Sequence, residues 1–166
     1  MKGFTLVEML VSMAVMAVMA AIVTMSYTNV IGRAERVACT GNLRVLHSAF
    51  STYVQDNGSW PQQPEEIKDD VQFYGWIVGE VKDFGGERAA WMCPSEERER
   101  MLDISSENFV GSYVPTLFAP GQNTPWLWDT QPWLIERASN HKGGGGLLIM
   151  PDSSVHTIDE AVALMR

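Results

Sequence analysis

Met1-Lys2-Gly3-Phe4-Thr5-Leu6-Val7-Glu8, followed by MLVSMAVMAVMAAIVTM from Met9 to Met25, is the stretch whose reading decides the architecture. Apart from Glu8, positions 4 to 25 form an unbroken apolar run, and about 20 such residues in a helix span a bilayer. Ala, Met, Leu and Val dominate and no proline interrupts, so the run is predicted to be helical. An ionised carboxylate near the start of such a run is costly inside hydrocarbon unless it is paired or close to the interface. Glu8 therefore discriminates between readings. A secretory signal peptide accounts for Lys2, the apolar stretch and small residues such as Ala20, yet the stretch continues past Ala20. A plain transmembrane anchor accounts for the length. Neither gives Glu8 a purpose.

A third reading does. Lys2-Gly3-Phe4-Thr5-Leu6-Val7-Glu8 resembles the prepilin-type signal of type IV pilins and type II secretion pseudopilins: a basic leader, Gly, then Phe-Thr-Leu-[Ile/Val]-Glu ahead of an apolar helix. The resemblance implies that a membrane prepilin peptidase cuts after Gly3 and that the new amino terminus, Phe4, is methylated. Gly suits the scissile position because a backbone without Cβ can be approached closely. Glu8 then gains a partner, the α-amino group of Phe4 on a neighbouring subunit. Two opposite charges in apolar surroundings tolerate burial only as a pair, so the pair sets axial register. Glu8 becomes an assembly residue.

From Met9 to Gly32 there is no charged side chain, whereas Arg33 onward is dense in charge. The expected organisation is a leader over 1–3, a transmembrane or filament-core helix over 4–32, and a soluble domain over 33–166. The helix is predicted to continue to about Asp56, some 80 Å in all. Cys39, Leu43, Leu46, Phe50 and Tyr53 make one apolar stripe on it. Asn57-Gly58 is a stop, Trp60-Pro61 begins an extended segment, and Ser26 to Gly32 is rich in poor helix formers. Leu147 to Met150 and Val155 to Ile158, with a turn-rich tetrad between, read as a β-hairpin. Tyr113 to Phe118 is a third strand, which Pro115 consigns to an edge or a bend. The fold class is α+β: a long N-terminal helix packed on a small antiparallel sheet, pilin-like.

The resemblance reaches further along the chain. Cys39-Thr-Gly-Asn-Leu-Arg, Asp56-Asn57-Gly58, Trp60-Pro61, Trp91-Met92-Cys93-Pro94, Gly111-Ser112-Tyr113 and the closing stretch from Asn140 are similar to landmarks of pseudopilin-like proteins. Where those relatives usually turn through Asp-Gly, this chain has Pro151-Asp152-Ser153-Ser154.

Composition limits the chemistry. The formal net charge is −8, and no Lys/Arg cluster exists to neutralise phosphates, so nucleic acid is not an expected partner. Cys39 and Cys93 are too few for a disulfide scaffold or a four-thiolate zinc site. In an exported domain they form one bridge, closing a loop of about 54 residues and contributing about 4 kcal/mol by chain entropy. In the cytosol they are two buried thiols. His47, His141 and His156 lack a metal-ligand spacing, with His47 read as a surface or rim residue and the other two flanking the hairpin. No cofactor is expected. Calcium is a subsidiary expectation, since some pseudopilins hold it with C-terminal loop residues; Asp129, Asp152 and Asp159 are the candidates, without a contiguous ligand loop. Gly143 to Gly146 lacks the context of a phosphate loop, and the serines lack a nucleophile elbow. Glu96 to Arg100 reads as a solvated charged patch. Trp60, Trp76, Trp91, Trp126, Trp128 and Trp133 are expected mainly to fill the core, the alternative being sugar or partner binding by exposed rings.

The resulting expectation is a non-enzymatic filament subunit of a type IV pilus-like or type II secretion pseudopilus assembly. Its partners would be homologous subunits, a prepilin peptidase and an inner-membrane assembly platform. It would cross the bacterial inner membrane once, with the C-terminal domain outside the cytoplasm, before entering a periplasmic or surface filament. Arg33 and Arg36 flank the far end of the run, so orientation rests on the motif rather than on charge. The alternative is a membrane-anchored or exported carbohydrate-binding module or hydrolase.

Overall fold

The computed structural model describes residues 5–96, 104–121, 123–137 and 146–164, without the side chains at 23, 25, 26, 28, 29 and 164. The chain divides into two compact units, Met1–Ala34 and Glu35–Arg166. Helix α1, Leu6–Asn57, contributes to both. It ends where the sequence provides the means: Gly58, at φ 73°, takes the left-handed position and donates its N–H to the Val54 carbonyl at 2.9 Å, an αL cap.

Within the Glu35–Arg166 unit, a second helix, α2 (Asp70–Val81), follows. The sheet has four short strands in the order β1 (Tyr113–Pro115), β2 (Leu134–Glu136), β3 (Leu147–Ile149) and β4 (Val155–Thr157), all antiparallel. A last helix, α3, spans Ile158–Leu164. The α+β class and the terminal hairpin match the sequence reading. The expected strand from Tyr113 to Phe118 is shorter, ending at Pro115, and α2 and β2 were not anticipated.

Cys39, Leu43, Leu46, Phe50 and Val54 of α1 are fully buried against Tyr113, Leu134, Leu147 and Ile149 in one core. Tyr53, expected on that stripe, is only partly buried. It stands at the stripe's edge, where its hydroxyl donates to Glu80 of α2 at 2.8 Å. Aromatic rings fill the space between: Trp60 stacks on Phe50 at 4.5 Å and meets Trp133 edge-on at 5.1 Å, and Trp91 meets Tyr74 edge-on at 5.8 Å. On the opposite side of the sheet, Leu148, Met150 and Ala161 form a smaller cluster with Ile135, so α3 covers Leu148. Glu96, expected in a solvated patch, is 3% exposed.

The outer edge of β1 is closed to a further strand. Arg137 N–H to the Ser112 carbonyl (2.7 Å) and Thr116 N–H to the Trp133 carbonyl (2.8 Å) turn Ser112 and Thr116 inward. The backbone polar groups of Tyr113 and Pro115 then face the outer edge. The Tyr113 carbonyl is occupied by the Tyr74 hydroxyl at 2.9 Å, and Pro115 has no N–H to offer.

Candidate functional site

From Leu6 to Ile22 the helix of the Met1–Ala34 unit presents apolar side chains around its whole circumference. Leu6, Val7, Leu10, Met13, Met16 and Met19 all stand exposed, although they point in different directions around the helix. A surface helix of a globular protein is apolar on one stripe only; one apolar all round belongs inside a larger core or a membrane. The polar side chains in this run are satisfied locally. The Ser12 hydroxyl donates to the Glu8 carbonyl at 2.7 Å, and Thr24 donates to the Ala20 carbonyl at 2.9 Å. Such back-bonding leaves no hydroxyl in need of water.

Glu8 is the exception, and its setting is specific. Thr5 donates its backbone N–H (2.9 Å) and its hydroxyl (2.8 Å) to Glu8 Oε2, while Glu8 N–H donates to Thr5 Oγ1 at 3.3 Å. This is a reciprocal capping box that ties off the first turn of α1. Both donors converge on Oε2, leaving Oε1 without a hydrogen-bond partner among the described residues. Thr5 went unread as a site residue, although Thr5-x-x-Glu8 ahead of an apolar run carries the signature. Gly3, Phe4 and His141 lie outside the described residues.

No helix among the described residues is long and apolar enough to cross a membrane. The fully described part of the apolar run, from Leu6 to Ile22, is shorter than the about 20 residues a span needs.

Cys39 and Cys93 are joined in a disulfide with a Cα–Cα distance of 5.2 Å. The bridge ties α1 to the segment after the 3₁₀ turn Arg88–Trp91. Neighbouring bonds reinforce it: the Asn42 amide donates to the Met92 carbonyl at 2.8 Å, and Cys93 N–H donates to the Ser112 hydroxyl at 2.9 Å. Glu136, 2% exposed on β2, accepts the Leu147 N–H at 2.9 Å. Its carboxylate lies within 4.8 Å of both sulfurs; nothing in the sequence marked it. That group is what the described residues offer toward a metal, and its sulfurs are spent in the bridge. Asp129, Asp152 and Asp159 are not gathered into such a group. Asp152 instead accepts the Ser154 N–H at 2.9 Å within the β3–β4 turn, and hydrogen bonding from the Ser154 hydroxyl, then from its N–H, holds the carboxyl below the usual range.

His47 is more than a rim residue. Its ring stacks on Trp133 with centroids 4.3 Å apart, and Nε2–H donates to the Pro151 carbonyl at 3.0 Å. Burial pushes its pKa below the ordinary 6.5, opposed by the Pro151 carbonyl and by Asp152. The tryptophans divide. Trp60, Trp91 and Trp133 are fully buried, whereas Trp126 is 36% and Trp128 63% exposed.

Residues 1–24 match the family described as the prokaryotic N-terminal methylation motif, the prepilin signal of type IV pilins and pseudopilins. No curated protein and no solved structure matches the chain.

Proposed function

We propose that this chain, carrying that prepilin-type signal, is a structural subunit of a type IV pilus-like or type II secretion pseudopilus filament. In this reading a prepilin peptidase cuts after Gly3, Phe4 becomes the methylated amino terminus, and the subunit waits in the inner membrane with its C-terminal domain outside the cytoplasm. The apolar run continues through Met25 in sequence, long enough to span when the whole run is counted. On assembly the apolar helices of many subunits exchange lipid for one another.

The observation that carries the reading is a helix apolar on every side that begins with a single capped carboxylate. Thr5 holds that carboxylate through Oε2 while the subunit is alone. Oε1 then serves the neighbouring Phe4 ammonium, so the incoming charge is paired without the cap being broken. A charged pair in low dielectric is strong when made and costly when half-made. A subunit out of register therefore leaves two buried charges unpaired, which selects one axial position.

Glu8→Gln keeps the size and one acceptor oxygen but removes the charge; Glu8→Leu removes both. Both variants should be inserted and cleaved normally. Assembly, followed by filament shearing and immunoblotting, should fall at least about 10-fold for Gln and further for Leu, because losing one partner of a buried pair costs several kcal/mol. Wild-type filament yield from Glu8→Leu contradicts the proposal.

A further inference from the structure

Asn57-Gly58, which closes α1, is also the dipeptide most prone to spontaneous deamidation. In that reaction the backbone nitrogen of the glycine attacks Cγ of the asparagine, and the side-chain nitrogen leaves as ammonia with the proton the backbone gave up. Water then opens the resulting succinimide on one side or the other, leaving aspartate or isoaspartate. Water is the only co-reactant. Glycine favours the ring closure because no Cβ obstructs the approach. Of the six asparagines in the chain only Asn57 precedes a glycine, and Asn57 is exposed.

The fold keeps the two reacting groups apart. Gly58 N–H donates to the Val54 carbonyl at 2.9 Å, so the nitrogen that must give up its proton is holding the helix cap. The Asn57 amide donates to the Tyr53 carbonyl at 3.0 Å. That carbonyl lies one turn back along α1, so the bond draws the side chain away from the residue that follows it. Gly58 stands at φ 73°, the left-handed conformation that the cap requires. Ring closure therefore waits on local opening of the last turn of α1, with both hydrogen bonds broken together.

The position matters to the core. Isoaspartate reroutes the main chain through the side chain and adds a methylene just ahead of Ser59 and Trp60. Trp60 is fully buried and stacks on Phe50 of α1 at 4.5 Å. Either product also replaces an amide donor with a carboxylate, which cannot donate to the Tyr53 carbonyl and sits at the negative end of the helix dipole. We infer that Asn57 is a deamidation site held closed by the cap of α1, and that conversion, once made, weakens the cap that resisted it. The site lies wholly in the Glu35–Arg166 unit and does not involve Glu8, so the inference stands or falls separately from filament assembly.

The test incubates the full chain in detergent at mildly alkaline pH, with and without urea, and maps peptides by a method that separates asparagine, aspartate and isoaspartate. In urea Asn57 should convert ahead of the other five asparagines. In the native chain it should convert at least about 10-fold more slowly, as expected when two hydrogen bonds must open first. Gly58→Ala puts a Cβ where nothing lies within 4 Å but where φ disfavours it, which loosens the cap without a clash. Alanine also slows the intrinsic reaction, so each chain is compared with its own rate in urea. The ratio of the urea rate to the native rate should fall several-fold in Gly58→Ala. Native conversion as fast as in urea overturns the inference, as does another asparagine converting first in urea. A ratio unchanged in Gly58→Ala also overturns it, because the protection would then not come from the cap.

Discussion

Thr5 and Glu8 form at the start of α1 the same reciprocal pair that Thr157 and Glu160 form at the start of α3, where Thr157 N–H donates to Glu160 Oε2 at 2.8 Å. At α3 the device only starts a helix. At α1 the same device also holds a carboxylate at the head of an apolar run. His47 illustrates the opposite case, a titratable group whose setting is structural. Its folded pKa lies below 6.5 because burial disfavours the charged ring. Below that pH the unfolded chain takes up a proton that the folded chain resists, so stability falls as pH drops from 6.5 toward the folded value. Urea denaturation at pH 7.5 and 5.5 should show lower stability at the acid end. In His47→Gln the loss over that interval should shrink; an unchanged loss would place its origin in another group.

Gly111 shows how tightly the elements of the Glu35–Arg166 unit meet. A Cβ there would lie 2.7 Å from Tyr74 Cε1 and 3.2 Å from Trp91 Cβ, and the Tyr74 ring cannot retreat because its hydroxyl is held by the Tyr113 carbonyl. Gly111→Ala should therefore cost about 1–3 kcal/mol, read as a lowered Tm. Gly75→Ala on α2, where a Cβ meets nothing within 4 Å, should be neutral or slightly stabilising. Equal behaviour of the two would refute the packing account. The end of α1 and the terminal hairpin were legible because Asn57-Gly58 and the tetrad after Met150 punctuate apolar runs. Helix α2 was not, because Gly75 and Gly79 depress its propensity. Its start was marked nonetheless by Asp69, which caps Gln72 N–H at 2.8 Å. Strand β2 is three residues long and, unlike the equally short β3 and β4, has no paired apolar run across a turn-rich tetrad to mark it. The tryptophans were illegible in principle: Trp128 and Trp133 share one segment, yet one is 63% and the other 0% exposed, and only tertiary packing decides between them.

At the scale of the whole molecule, the two units answer to different solvents. The Glu35–Arg166 unit buries its own aromatic core and fastens α1 to it through the Cys39–Cys93 bridge. Among the described residues of the Met1–Ala34 unit none belongs to a buried core, and those from Leu6 to Ile22 expose apolar side chains on every side, a surface suited to lipid or to other apolar helices. In the sequence, charge is absent from Met9 to Gly32 and frequent afterwards. At its head Glu8 stood out as a carboxylate in an apolar run, while the Thr5-x-x-Glu8 spacing that marks its capping box was there to be read and was passed over. The central claim is that the leader is removed at Gly3 so that Phe4 can meet Glu8 of a neighbour. Intact-mass and N-terminal analysis of the chain from its native membrane tests this most directly. The account predicts a mature chain beginning at N-methylated Phe4. A chain beginning at Met1, or one beginning near Ala21, contradicts it.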